Sequence, residues 1–200
     1  MLVAAFAYRY EPDWLVDQLY ENLGWVDGFA VHDGRAATEV WQPPKDRQQI
    51  LLDKAVELGA TWVLHTAPDE RFDRTAETTI REAIRSPNRR FSFPLREMWT
   101  PTHFRVDGIW GRKWRTRLGR VGDKNTALVQ LPVNIYHLKM IEPENRVERA
   151  RVHTAHNTWN NHHRGFDYLT DEKGLRLKPV PKRRGYDPPY RPYVFRVDEP

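Results

Sequence analysis

The most informative segment of the chain is Trp62-Val63-Leu64-His65-Thr66-Ala67-Pro68-Asp69-Glu70-Arg71-Phe72. Its apolar first part predicts a buried strand at 61–66, and Asp69 and Glu70 follow the carboxyl end of that strand, where parallel sheets bind ligands. Adjacent carboxylates in such a place are costly unless they face water or a cation. Two interpretations stay open: a loop with two solvated acids, or a site for Mg²⁺ or Mn²⁺ that in turn holds a diphosphate.

Predicted strands and helices alternate around this stretch. Apolar runs at 2–8 and 28–33 predict two further strands, and helical spacing of apolar residues predicts helices at 14–23, 43–58 and 75–85. Such an alternation at short spacing is typical of a parallel sheet wrapped by helices. The sequence therefore predicts an α/β, Rossmann-like fold with a mostly parallel sheet flanked by helices.

The pattern changes after Pro87. Shorter strands with turns between them are predicted at 90–99, 103–107, 113–120 and 127–137. A polar helix is predicted from Pro143 to about residue 160. Residues 179–200 hold six prolines among many Lys and Arg. They predict an extended Pro/Lys/Arg-rich C-terminal tail, packed through four aromatic side chains: Tyr186, Tyr190, Tyr193 and Phe195.

Composition narrows the function classes. The chain has 200 residues, no cysteine and a net charge of +5, which excludes disulfides, thiol nucleophiles and cysteine-ligated zinc. The longest apolar run, 2–7, is too short for a membrane span or a signal peptide. We therefore expect a soluble protein in the cytoplasm, or in the host cytoplasm if the chain is phage-encoded.

Charge is distributed unevenly along the chain. The first 80 residues hold 14 acidic and 7 basic side chains, whereas residues 81–120 hold 11 basic and 3 acidic ones. An arginine-rich segment of this kind suits phosphate groups, whether of a nucleotide or of a nucleic acid.

Several features together resemble the nucleotide-sugar glycosyltransferases of family 2, which have the glycosyltransferase-A fold. They are Glu11 after the first strand, Asp33-Gly34 at the end of the second, Arg47 in the next helix and the stretch from Trp62 to Phe72. The resemblance implies that Glu11, Asp33 and Arg47 hold the nucleotide and that Asp69, with Glu70 beside it, holds the diphosphate. It covers roughly residues 1–150.

The resemblance also implies an activity and a division of the chain. It implies a hexosyltransferase that moves a sugar, with inversion, from a UDP- or GDP-sugar to a glycan, a protein, a lipid or a modified nucleic acid. Residues 1–86 would be the nucleotide-binding half and 87–178 the acceptor half of one catalytic domain, followed by the tail 179–200. Asp69 and His137 would hold Mn²⁺ or Mg²⁺, with Arg117 near the donor.

The metal motif departs from the pattern of that family. Ala67 stands where the first of two aspartates is expected, so that Asp69 alone remains of the pair. Either this single carboxylate holds the metal, or arginine and lysine side chains bind the diphosphate in its place.

Inverting transfer needs a base on the far side of the sugar, usually a carboxylate. Asp107 and Glu97 are the acids nearest to the expected acceptor segment, although Asp107 also fits a turn before Gly108. Three tryptophans of this region are candidates for stacking on a sugar, and we expect at least two of them in the core: Trp99, Trp110 and Trp114.

Two other functions stay open. The arginine-rich middle and the basic tail with interleaved tyrosines favour a nucleic-acid-binding module. The alternative is an inactive relative that binds nucleotide sugars and transfers nothing.

Overall fold

A computed structural model describes residues 1–36, 47–123, 127–156 and 169–197. Its strands are β1 (Leu2–Tyr8), β2 (Gly28–Asp33), β3 (Trp62–His65), β4 (Glu70–Phe72), β5 (Arg90–Thr100), β6 (His103–Arg105), β7 (Trp114–Arg120), β8 (Val129–Gln130), β9 (Ile135–His137) and β10 (Leu177–Pro179). Its helices are α1 (Asp13–Asn22), α2 (Arg47–Glu57), α3 (Ala76–Ala83) and α4 (Pro143–His156). Parts of two predicted helices lie outside the described residues: the start of one, at 43–46, and the end of another, at 157–160. None of the helices within the described ranges is long and apolar enough to cross a membrane.

The first half of the chain forms the predicted strand–helix layers. β1 pairs in parallel with both β2 and β3. Alternate side chains of β1 enter two cores: Leu2 and Phe6 pack with α1 and α3, whereas Val3 and Ala5 pack with α2. A strand buried on both faces needs apolar residues at every position. For this reason the sequence of β1 does not alternate between apolar and polar residues.

The second half makes the sheet mixed rather than mostly parallel. The strand order is β10-β6-β5-β7-β3-β1-β2, with β7 antiparallel to both β3 and β5. Only residues 101 and 102 separate β5 from β6, and so short a connection permits antiparallel pairing alone. The strand predicted at 127–137 is divided into β8 and β9. The α/β class is confirmed.

Aromatic residues of the C-terminal segment pack onto the domain, as predicted. Tyr193 and Phe195 join a core cluster with Leu15 of α1 and Val152 of α4. Tyr186 lies 5.2 Å, between ring centroids, from Tyr136. This packing brings the C-terminal segment alongside the carboxyl ends of the first strands.

Two of the three candidate tryptophans are in the core, as expected. Trp99 and Trp110 are buried, whereas Trp114 remains 38% exposed on β7. Trp114 is therefore the one that presents its indole to solvent.

Candidate functional site

Acidic residues stand where three neighbouring parallel strands end. Glu11 follows β1, Asp33 ends β2 and Asp69 follows β3. The Lys139 Nζ lies 3.3 Å from Oε1 of Glu11 and 3.8 Å from Oδ2 of Asp69. This lysine therefore joins the ends of β1 and β3. Burial lowers the pKa of Arg47 on α2, and the charge of Glu11 partly offsets that effect.

His137 stands between two buried carboxylates because two strand ladders meet at it. β9 pairs with β4, which sets Glu70 opposite His137, and with β5, which sets Glu97 opposite it. The ring Nδ1 lies 2.5 Å from Oε2 of Glu97, and Nε2 lies 3.2 Å from Oδ2 of Asp69. Asp69, Glu70 and Glu97 are 3%, 2% and 1% exposed. The interpretation of Asp69 and Glu70 as solvated acids is therefore wrong.

Two further cations reach these carboxylates from one side. Lys113, just before β7, donates to Oε1 of Glu97, and Arg117 of β7 donates to Oε1 of Glu70. The second oxygen of Glu70 accepts a hydrogen bond of 3.2 Å from the hydroxyl of Thr66. Both cations therefore come from β7 or from the residue before it.

The charges of the site hold one another in the ionised state. Burial opposes a charged imidazole, but the carboxylates of Glu97 and Asp69 outweigh it and raise the pKa of His137 to about 9. Burial likewise opposes the carboxylate of Asp69, yet His137 and Lys139 hold its pKa below the usual range. The pKa of Glu97 is lowered in the same way, by His137 and Lys113. At neutral pH an imidazolium therefore lies between two carboxylates.

Besides Nε of Arg71 and of Arg117, two buried polar groups beside these charges have no hydrogen-bond partner among the described residues. One is Nη1 of Arg149 on α4, whose guanidinium contributes to lowering the pKa of Asp69 and of Glu97. The other is the hydroxyl of Tyr193, whose pKa is raised by burial and by the charges of Asp69 and Glu11. We call the charged residues gathered here the edge cluster: Glu11, Arg47, Asp69, Glu70, Glu97, Lys113, Arg117, His137, Lys139 and Arg149.

Most of the sequence-predicted site residues belong to the edge cluster, and two lie in separate ion pairs. Asp33 stands at the same sheet edge, 2.6 Å from Nη2 of Arg35 on the surface. Asp107 lies 2.9 Å from Nη2 of Arg105 and accepts a hydrogen bond of 3.2 Å from the Arg176 backbone N–H. Asp107 therefore has a structural partner of its own.

Sequence reasoning missed three cations of the edge cluster. Lys113 had no dependable signal, because a register shift between β5 and β7 at Arg117 interrupts the strand alternation that would link the two positions. Lys139 follows His137 by two residues, but a 3₁₀ turn over 138–140 separates it from the strand. Arg149 had no local signal, since its helix reaches the cluster only through the tertiary fold.

The residues expected to bind a divalent metal do not fit one in this arrangement. Both ring nitrogens of His137 face carboxylate oxygens at hydrogen-bond distance, so each carries a proton and neither offers a lone pair. Lys139 stands beside the same oxygen of Asp69 that His137 contacts. Within the described ranges, no group of three or more His, Cys, Asp or Glu is arranged to hold a metal ion.

Comparison with known proteins assigns no family to the chain. The sequence matches no protein-family model, and it has no significant match among curated proteins.

Proposed function

We propose that this protein is a glycosyltransferase that binds a UDP- or GDP-sugar at the edge where β1, β2 and β3 end. One observation supports this most: Lys139 joins Glu11 and Asp69, which follow two neighbouring parallel strands. Open α/β sheets bind ligands at this edge. Buried ionisable groups with perturbed pKa values, such as His137, cluster at functional sites.

The nucleoside and the diphosphate of the nucleotide sugar would contact different residues at this edge of the sheet. The nucleoside would lie towards Glu11, Arg47 and Asp33, whose carboxylates and guanidinium suit ribose hydroxyls and base edges. The diphosphate would lie towards Lys139 and the buried centre of the cluster. The divalent metal implied by the resemblance is not part of this proposal, because His137 has no free ring nitrogen for it.

Transfer would break the bond between sugar C1 and the β-phosphate oxygen, leaving its electron pair on the nucleoside diphosphate. The acceptor oxygen would bond to C1 and lose its proton to a carboxylate, and Lys139 would stabilise the charge on the departing diphosphate. Glu97 and Asp107 are the candidate bases, and the Asp107 side chain is the more exposed, at 15% against 1%. The acceptor is a glycan, a protein, a lipid or a modified nucleic acid.

The substitution Asp69→Asn tests the proposal. The amide keeps the size of the side chain but no longer fixes the Lys139 ammonium and the His137 imidazolium, so we expect slow donor hydrolysis to fall at least about tenfold while donor affinity changes less. Calorimetric titration and release of nucleoside diphosphate from UDP- and GDP-sugars measure these quantities.

Asp73→Asn is the matched control for Asp69→Asn. Asp73 is also a buried carboxylate, but it accepts hydrogen bonds from Asn134 at the other end of β4, so donor binding and hydrolysis should persist. Unchanged binding and hydrolysis in a folded Asp69→Asn variant would remove Asp69 from the site. Donor binding by the wild type without any turnover would instead favour the inactive relative.

A second candidate function, nucleic-acid binding, is favoured by the surface of β7. Trp114, Arg115 and Thr116 are all exposed there, and an exposed aromatic ring beside a guanidinium can stack on a base. This candidate predicts that a fluorescent single-stranded oligonucleotide binds with an affinity that falls steeply with salt, and that Trp114→Ala weakens binding several-fold. Fluorescence anisotropy measures both, and absence of binding at low salt would remove this candidate.

A further inference from the structure

We infer that the edge cluster binds the diphosphate of its nucleotide through side-chain cations, chiefly Arg149 and Lys139, and without a divalent metal. This inference rests on the proposed function. It assigns a binding role to Arg149, which no sequence feature singled out.

The charge balance of the edge cluster favours an anion over a metal ion. Four carboxylates face six positive groups when His137 is counted as the imidazolium that its two hydrogen bonds require. The excess of two positive charges suits an anionic diphosphate, because charge-assisted hydrogen bonds to phosphate oxygens are stronger than neutral ones. A divalent cation would add to this excess in a site largely shielded from water, where like charges repel strongly.

Two buried hydrogen-bond donors without a partner also favour a diphosphate as the ligand. A buried donor without a partner is costly, so native proteins rarely keep one without reason. Nη1 of Arg149 and the hydroxyl of Tyr193 are both in that state within the described part of the chain. Both groups are close enough to Asp69 for charge effects: Arg149 lowers the pKa of Asp69, and the charge of Asp69 raises the pKa of Tyr193. A phosphate oxygen would provide the acceptor that each of them lacks.

The geometry of Lys139 fits this role. Its ammonium lies between Glu11 and Asp69, at 3.3 and 3.8 Å from their carboxylate oxygens. Its Nζ also lies 4.2 Å from the ring centroid of Phe195 in the C-terminal segment. The ammonium is therefore held in place at the strand ends, where a phosphate would have to approach.

Titration of UDP and of GDP into the full chain, in EDTA and in Mn²⁺, tests the inference. We expect one of the two nucleotides to bind equally well in both buffers. Arg149→Met, which keeps the aliphatic stem and removes the guanidinium, should weaken binding in EDTA about tenfold or more. Inorganic diphosphate should compete with the nucleotide in wild type and less effectively in Arg149→Met.

Arg151→Met is the matched control, because Arg151 lies on the same helix and pairs with Glu148 at 2.8 Å. Its nucleotide affinity should equal that of the wild type. If Arg149→Met does not fold, as judged by its thermal transition, Lys139→Gln takes its place with the same expected loss.

The outcomes separate the inference from the proposed function. Binding that requires Mn²⁺ overturns the inference and leaves the glycosyltransferase proposal standing. Binding in EDTA that neither Arg149→Met nor Lys139→Gln weakens also overturns the inference alone. If neither nucleotide binds in either buffer, the proposed function fails and the inference fails with it.

Discussion

Replacing His137→Ala is expected to lower the free energy of unfolding by about 3–5 kcal/mol. The imidazole lies between Asp69 and Glu97, both almost fully buried. Without it the two carboxylates face one another across a cavity, and only Lys113 and Lys139 remain to offset their charges. Removing one member of a buried charge network costs far more than losing a surface ion pair.

Urea unfolding followed by far-UV circular dichroism measures this effect. His32→Ala is the control, because His32 lies on β2 and is only half-buried, so its loss should change stability by less than about 1 kcal/mol. Equal stabilities of the His137→Ala and His32→Ala variants would show that the central imidazole does not hold the cluster together.

Stability is expected to decline steeply on the alkaline side of neutrality. The pKa of His137 is raised to about 9 in the folded protein, against about 6.5 in the unfolded chain. Its contribution is therefore complete below pH 6.5 and is lost as the pH rises through 9. The linkage between the two pKa values sets an upper limit of about 3 kcal/mol on this loss.

On the acidic side of neutrality, the free energy of unfolding is expected to fall as the pH decreases. We call these two parts of the stability profile its acidic and alkaline limbs. The pKa values of Asp69 and Glu97 are lowered in the folded protein, so their contribution is present above the unfolded values near 4 and is lost as the pH falls below them. The edge cluster thus favours a stability maximum between about pH 5 and 6.5. Urea unfolding across the pH range, in wild type and in His137→Gln, measures both limbs. An alkaline limb of the same depth in His137→Gln would contradict the assignment to His137.

The first half of the fold follows from local sequence patterns. The doubly buried strand at 2–8 and the amphipathic helix at 14–23 need only their own residues to be recognised. Asp69 could be singled out because position after a strand is a local property. The mixed sheet could not, since the place of β7 between β3 and β5 depends on long-range pairing.

The centre of the candidate site depends on register between distant strands. Glu97 and His137 are 40 positions apart and meet only because β5 and β9 pair in one particular register. A shift of that register by one residue would turn one of the two side chains to the other face. The roles of Lys139 and Arg149 depend on packing that no local pattern encodes.

Hydrogen exchange with and without nucleotide tests most directly whether the strand ends are the binding site. With UDP or GDP at saturation, mass spectrometry should show slower exchange in the segments 9–12, 66–70 and 137–140, with little change in the β7 segment 114–120. Protection confined to β7, or nucleotide binding that leaves all three strand-end segments unchanged, would contradict nucleotide binding at the strand ends.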